Sequence, residues 1–242
     1  MKKVILKVAQ TEALTSNVYK TVFEGDVSGI TAPGQFVNVQ IDGLYLRRPI
    51  SVCDLGENTL TLVYKVVGKG TAALSKAKVG DAFDVLTGLG NGYDLSRAGD
   101  TPLLIGGGVG VPPLYYLAKK LTEQGVVPQV LLGFNQSEEV FFLHEFEALG
   151  AIVRLATVDG SAGVKGFVTD ILPSTYSYFY ACGPEPMLKA VFKATKSDGE
   201  LSFEDRMGCG FGACMGCSCK TVTGYKRICK DGPVLKKGEI LW

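Results

Sequence analysis

Thr101-Pro-Leu-Leu-Ile-Gly-Gly-Gly-Val-Gly-Val-Pro-Pro-Leu-Tyr-Tyr-Leu-Ala-Lys-Lys-Leu121 reads as a strand, a turn and a helix in direct succession. Leu103-Leu-Ile105 is an unbroken apolar run, as carried by strands covered on both faces. The turn Gly106-Gly107-Gly108-Val109-Gly110 has almost no side chains, so a pyrophosphate can come close to its backbone. Val111-Pro-Pro113 then opens a helix, because proline fits the first turn, where amides have no helical acceptor. Free amides at a helix start favour an anion. The spacing is not G-x-G-x-x-G, so alone the motif is weak and an ordinary tight turn stays open as a reading.

Working outward toward the C-terminus, apolar runs at 126–134, 152–158 and 178–182 alternate with helical stretches at 138–149, 168–172 and 186–194. Such alternation predicts a parallel sheet with helices on both faces, here a nucleotide-binding α/β domain over residues 99–200. Its last strand runs into Cys182-Gly183-Pro184. Ligands of such sheets sit outside the carboxyl ends of the strands, so the Cys182 thiol is expected to face the site, a small buried hydrophobe being the alternative. Cys53, by contrast, reads as a small buried hydrophobe.

Toward the N-terminus the pattern changes. Residues 1–98 hold short alternating runs at 4–9, 18–23, 35–41, 60–67 and 82–86, separated by Gly25-Asp, Pro33-Gly and Gly56-Glu-Asn. Strands at that spacing predict an antiparallel β-barrel. Arg48-Pro49-Ile50-Ser51 is expected to end one of them. Arg48 offers a forked donor for a phosphate, while an edge-strand arginine closed by a proline is the plain alternative. Gly70-Thr71 reads as the start of a short helix, either an ordinary cap or a diphosphate contact.

The third region, residues 201–242, is too small to bury a core alone. It carries Cys209, Cys214, Cys217 and Cys229, spaced C-x4-C-x2-C-x11-C, with Gly208, Gly210, Gly212 and Gly216 interleaved. That is the plant-type [2Fe–2S] spacing, and the glycines allow backbone amides to turn toward sulfur. A zinc site, the alternative, usually supplies two C-x2-C pairs, and only one is present. The thiols are too crowded for an ordinary disulfide framework. Cys219 is expected to stand outside the ligand set, under the cluster loop.

The bulk numbers remove whole classes. The 242 residues carry a net charge of +1, which points to neither nucleic acid nor an anionic membrane. No apolar run is long enough to span a bilayer, and Met1-Lys-Lys leads into an alternating strand rather than a secretory signal. Seven cysteines without an export signal suggest a reducing, cytoplasmic setting. The single histidine, His144, lies in a Glu-rich stretch and reads as a surface residue, so no acid–base catalyst is assigned.

Taken in order, R-P-x-S, G-T, G-G-G-x-G-x-x-P and C-G-P resemble the ferredoxin–NADP reductase superfamily. With the tail Glu204-Asp-Arg-Met-Gly-Cys209 and Ile228-Cys-Lys-Asp-Gly-Pro-Val234, the whole chain is similar to the electron transfer subunits of type B dihydroorotate dehydrogenases. The resemblance implies FAD against Arg48, Pro49, Ile50, Ser51, Val63, Tyr64, Lys65, Gly70 and Thr71. It implies NAD at Gly106, Gly107, Gly108, Gly110, Cys182 and Gly183, with Cys182 near the nicotinamide, and a cluster on the four cysteines. It also implies an FMN-bearing catalytic partner in a heterotetramer, a role in pyrimidine synthesis, and Phe211 and Met215 bordering that partner. The residues themselves favour NAD over NADP: 133–153 contains no Lys or Arg but Glu138, Glu139, Glu145 and Glu147, which would repel a 2′-phosphate. Two other readings stay open: the small subunit of an electron-bifurcating or sulfide-linked ferredoxin:NADP reductase, and a non-catalytic zinc-stabilised binding protein.

Overall fold

The structure, a computed structural model, describes residues 1–242. Its first part is a closed barrel in the order β1-β2-β5-β4-β3-β6. The strands are β1 (Lys2–Ala13), β2 (Val18–Glu24), β3 (Phe36–Val39), β4 (Arg48–Leu55), β5 (Thr59–Lys65) and β6 (Ala82–Leu89). Alternation sets their faces: Val4, Leu6 and Val8 of β1, Val37 and Val39 of β3, and Ile50 and Val52 of β4 point inward to one core. The short helix α1 (Lys69–Leu74) buries Leu74 in that core.

Arg48-Pro49-Ile50-Ser51 opens a strand rather than ending one. Pro49 is tolerated because β5 pairs only with the later part of β4, from Val52 to Leu55, so no ladder partner needs the missing amide.

The second part is a seven-stranded sheet, β10-β9-β8-β7-β11-β12-β15. Its central strand is β7 (Leu103–Gly107), flanked by β8 (Gln129–Phe134), β9 (Ile152–Thr157) and β10 (Val164–Lys165) on one side. On the other side lie β11 (Phe179–Cys182), β12 (Gly199–Ser202) and β15 (Val234–Lys236). All neighbours are parallel except β12 and β15. Helix α2 (Val111–Glu123) and helix α3 (Leu143–Ala148) cover one face; helix α4 (Glu185–Ala194) and the turn at Val168–Ile171 cover the other.

The helical stretch expected at 138–149 is interrupted. Phe142 takes a left-handed φ of 65° so that Phe141 and Phe142 both bury their rings, and only Leu143–Ala148 is α-helical. Cys53 and Val63 leave the barrel wall to join Leu114 and Leu117 of α2 in a core shared by the two parts.

Residues 203–233 project from the sheet. Within them only β13 (Ser218–Thr221) and β14 (Gly224–Arg227) pair, as a hairpin. Their buried residues Cys217, Ile228 and Cys229 have no core of their own and pack with Leu201, Phe179 and Leu235 of the sheet.

Candidate electron-transfer site

The cluster loop is held open by backbone geometry. Gly210 and Gly212 adopt φ of 78° and 89°, and Met215 is left-handed at 59°. This turning aims amides at sulfur. Ala213 and Cys214 donate to Cys209 Sγ at 3.2 and 3.4 Å, and the Cys229 amide donates to Cys217 Sγ at 3.4 Å. Burial opposes ionisation of Cys209, but the amides of Cys214, Phe211 and Ala213 outweigh it and hold the thiol near 6. Cys229, beside Cys217, is pushed by burial and that neighbour up to about 12.

Cys214 lies beside Cys209 and Cys217 beside Cys229, and Cys209 also bears on Cys229. A pair of thiolates for each of two irons is the donor set a [2Fe–2S] cluster needs, and sulfur-directed amides suit its negative charge. Cys214 is exposed while Cys217 and Cys229 are buried, so the loop faces outward at one edge. Phe211 and Met215 are exposed on that edge. Arg227 braces the loop from below: Nη1 donates to the Gly212 carbonyl at 3.0 Å and Nε to Asp231 at 3.0 Å. Cys219 lies on β13 and lines a cleft of about 900 Å³ with Phe203, Ile240 and Trp242.

The loop rests on the barrel wall. Asn38 Nδ2 donates to the Cys209 carbonyl at 3.3 Å, and a Cβ on Gly210 would collide with the Asn38 amide. In the β3–β4 register Asn38 faces Pro49 and Phe36 faces Ser51. Pro49 and Ser51 therefore share the outer face with Asn38, while Ile50 points inward. Arg48 reaches the start of α1, where a Cβ on Gly70 would strike its guanidinium. The Thr71 hydroxyl accepts the Val67 amide at 3.0 Å, which leaves early amides of α1 beside that positive charge. Tyr64 differs from its neighbours: its ring is in the barrel core with its hydroxyl 2.9 Å from Thr21, so only its backbone reaches the face that Val63 occupies.

The glycine turn meets the end of β11. A Cβ on Gly110 would overlap the Cys182 carbonyl, and one on Gly107 or Gly183 would overlap Met187. A Cβ on Gly106 would press on the branched Val111 side chain, while Gly108 has open space around it at φ 52°. Glycine at 110 is thus set by the Cys182 backbone and at 106 by Val111, whereas the end of the Met187 side chain can give way at 107 and 183; the turn and Cys182 meet at one corner next to β5. Burial pushes the Cys182 thiol up to about 12, with Tyr93 and Ser202 as neighbours, so it stays a neutral thiol. Glu139 accepts from the Asn135 amide and side chain at the end of β8, which fixes negative charge there. His144 is exposed and pairs with Glu147.

The sequence did not single out Asn38, Asn91 or Arg227. Asn91, in the linker after the barrel, donates to the Val234 carbonyl at 2.7 Å and accepts the Val234 amide at 3.0 Å. These contacts span from 15 to 171 positions along the chain, and no local pattern marks them.

Comparison with known proteins fits this architecture. Residues 204–241 match the iron–sulfur cluster binding domain of dihydroorotate dehydrogenase B. The electron transfer subunit of dihydroorotate dehydrogenase B (NAD(+)) from Geobacillus sp. (strain WCH70) is 44% identical, covering 100% of this chain and 99% of the relative. The chain belongs to that family. A second member, from Fusobacterium nucleatum, is 43% identical over 96% of each chain. Among solved structures, the NADH-dependent reduced ferredoxin-NADP oxidoreductase studied for flavin-based electron bifurcation superposes with a TM-score of 0.90 at 30% identity, over 99% of this chain and 90% of that one. Membership in a family built on an iron–sulfur domain sets the zinc reading of the cysteines aside. No helix is long and apolar enough to cross a membrane.

Proposed function

We infer that this chain relays electrons from a catalytic dihydroorotate dehydrogenase subunit through a [2Fe–2S] cluster and FAD to NAD⁺. Family membership supports the activity and the existence of a catalytic partner. The chemistry supplied by the bound groups is one-electron transfer at the cluster and its conversion to hydride transfer at the flavin.

The residues divide the remaining work. Cys209, Cys214, Cys217 and Cys229 hold the cluster, and the amides of Ala213, Cys214 and Cys229 offset its charge. Arg48 and the start of α1 hold the flavin diphosphate, with Pro49 and Ser51 along the ring, while the Val63 side chain is taken up by the core against α2. Gly106–Gly110, Cys182 and Gly183 form the nicotinamide corner, and Glu138 and Glu139 turn away a 2′-phosphate. Phe211 and Met215 face an FMN-bearing partner in a heterotetramer.

One observation carries this reading: the sulfur-bearing loop is docked by Asn38 onto the same barrel face as Pro49 and Ser51. Co-expression with the catalytic subunit tests it. The expected result is a coloured complex with FAD and two irons per chain that forms NADH from dihydroorotate. A complex loaded with both cofactors but inert with dihydroorotate would count against it. The bifurcating-oxidoreductase likeness favours one second reading, in which the same relay serves a different flavin subunit. Activity with reduced ferredoxin instead of dihydroorotate would select it.

A further inference from the structure

Two residues other than glycine take a left-handed backbone, Phe142 at φ 65° and Met215 at φ 59°. That conformation crowds the Cβ, so a bulky residue holds it only where something offsets the strain. At Phe142 the offset lies inside the chain: its ring is buried and meets Tyr115 and Phe141 edge-on. Met215 has no such offset. Its side chain is 55% exposed and joins none of the three apolar cores.

The turn at 215 has no need of a side chain. It is held through the Met215 carbonyl, which accepts the Ser218 amide at 3.3 Å and the Ser218 hydroxyl at 2.8 Å. Glycine would make the same contacts without strain, and the other left-handed positions of the loop, 210 and 212, are glycine. The thioether is therefore kept for something outside the chain. Its neighbours say what. Met215 directly follows Cys214, the exposed cluster cysteine, and Phe211 is 41% exposed on the same loop, so an electron donor has to approach here. Lys230 borders the loop with its stem against Gly212, where a Cβ would strike it. It is exposed and pairs with no carboxylate, whereas the adjacent Arg227 is held by Asp231. Flexible, polarisable methionine suits the centre of such a contact, and a free cation suits its rim.

We propose that Met215 anchors the catalytic dihydroorotate dehydrogenase subunit: its side chain seats in an apolar pocket of that subunit, a carboxylate of the subunit faces Lys230, and this contact offsets the strained backbone at 215. The inference deepens the reading above and rests on it for the identity of the partner. Strain and anchoring make opposite demands on the residue. Met215→Gly relieves the backbone but removes the anchor, whereas Met215→Leu keeps the strain and most of the apolar volume.

The test uses the full chain loaded with FAD and iron. Wild type and both variants are titrated with the catalytic subunit, and each chain alone is assayed for iron and unfolded with denaturant. Met215→Gly on its own should keep its iron and unfold at the wild-type midpoint or above it. It should nevertheless bind the catalytic subunit about 5- to 30-fold more weakly, the range for an interface anchor. Met215→Leu should recover most of that loss. Wild-type affinity should fall with added salt, and less steeply in Lys230→Gln. Wild-type affinity in Met215→Gly overturns the proposal. So does a Met215→Gly chain that sheds iron or unfolds earlier on its own, since the side chain would then serve the chain itself. Self-association of the wild type that Met215→Gly abolishes would give the patch to a second copy and overturn it too. A salt dependence that Lys230→Gln leaves unchanged overturns the carboxylate opposite Lys230. A wild-type chain that binds no catalytic subunit overturns the partner assignment itself, and the anchor with it.

Discussion

The barrel and sheet differ from the cluster module in what holds them together. The sheet buries Leu103, Leu104, Ile105, Phe179 and Tyr180 completely, between helices on both faces. The module has one hairpin, and its buried Cys217, Ile228 and Cys229 lean on the core of the sheet. Its remaining internal order comes from amides aimed at sulfur and from the Arg227 brace. One part is ordered by apolar burial, the other by what its thiols bind.

Iron removal is the strongest test of that contrast. Chelation, or Cys214→Ser, should abolish dihydroorotate-dependent NADH formation and loosen residues 203–233, read as faster amide hydrogen exchange. The barrel and sheet should keep their protection and their FAD. If protection fell throughout the chain, the two parts would not be independently held.

Phe179→Ala strikes the other side. Its ring packs on Gly199 between β11 and β12 and is fully buried, so the loss should be about 3–5 kcal/mol by denaturant unfolding. Because Cys217 and Cys229 share that core, cluster loss should accompany the destabilisation.

Arg48→Ala should weaken FAD binding by about 10- to 100-fold, the range for a hydrogen bond to a charged group, with iron content retained. Asn91→Ala probes the joint between the parts. It strips two partners from Val234 and should cost about 1–3 kcal/mol, with cluster loss on dilution faster than in wild type.

The smallest effect is a pH slope. Burial raises the Glu200 pKa although the Asp94 amide donates to it at 3.0 Å. The folded state thus holds this proton more tightly than the unfolded chain. Its contribution is full below the ordinary carboxylate range and is lost as pH rises through the raised value. Glu200→Gln should flatten unfolding free energy against pH across that window, without altering either cofactor.

The same contrast explains what could be read from sequence. Alternation exposed most barrel strands, and Leu103–Leu121 exposed the sheet and its face-covering helices, because burial writes a period into the chain. Three kinds of feature escaped. β12 escaped because Gly199-Glu-Leu-Ser carries a charge whose burial depends on a distant amide. The break before α3 escaped because two adjacent phenylalanines turn the backbone to reach the core, against their helical surroundings. At the site, the cysteine spacing was legible because its thiols lie near one another in the chain. Asn38 and Asn91 were not, because their partners lie 171 and 143 positions away. Strand parity would have placed Tyr64 on the face opposite Val63, since neighbours on a strand point opposite ways.

β12 and β15 lie side by side, with Ser202 paired to Val234. The chain leaves the sheet and returns to it at a single rung, so residues 203–233 form a loop whose ends are already joined. Closing Ser202 onto Val234 with a tight turn would convert the pair into an ordinary hairpin and leave every other strand neighbour in place. Residues 203–233 are thus a single insertion at one sheet rung, and the strand topology of the rest does not depend on their path.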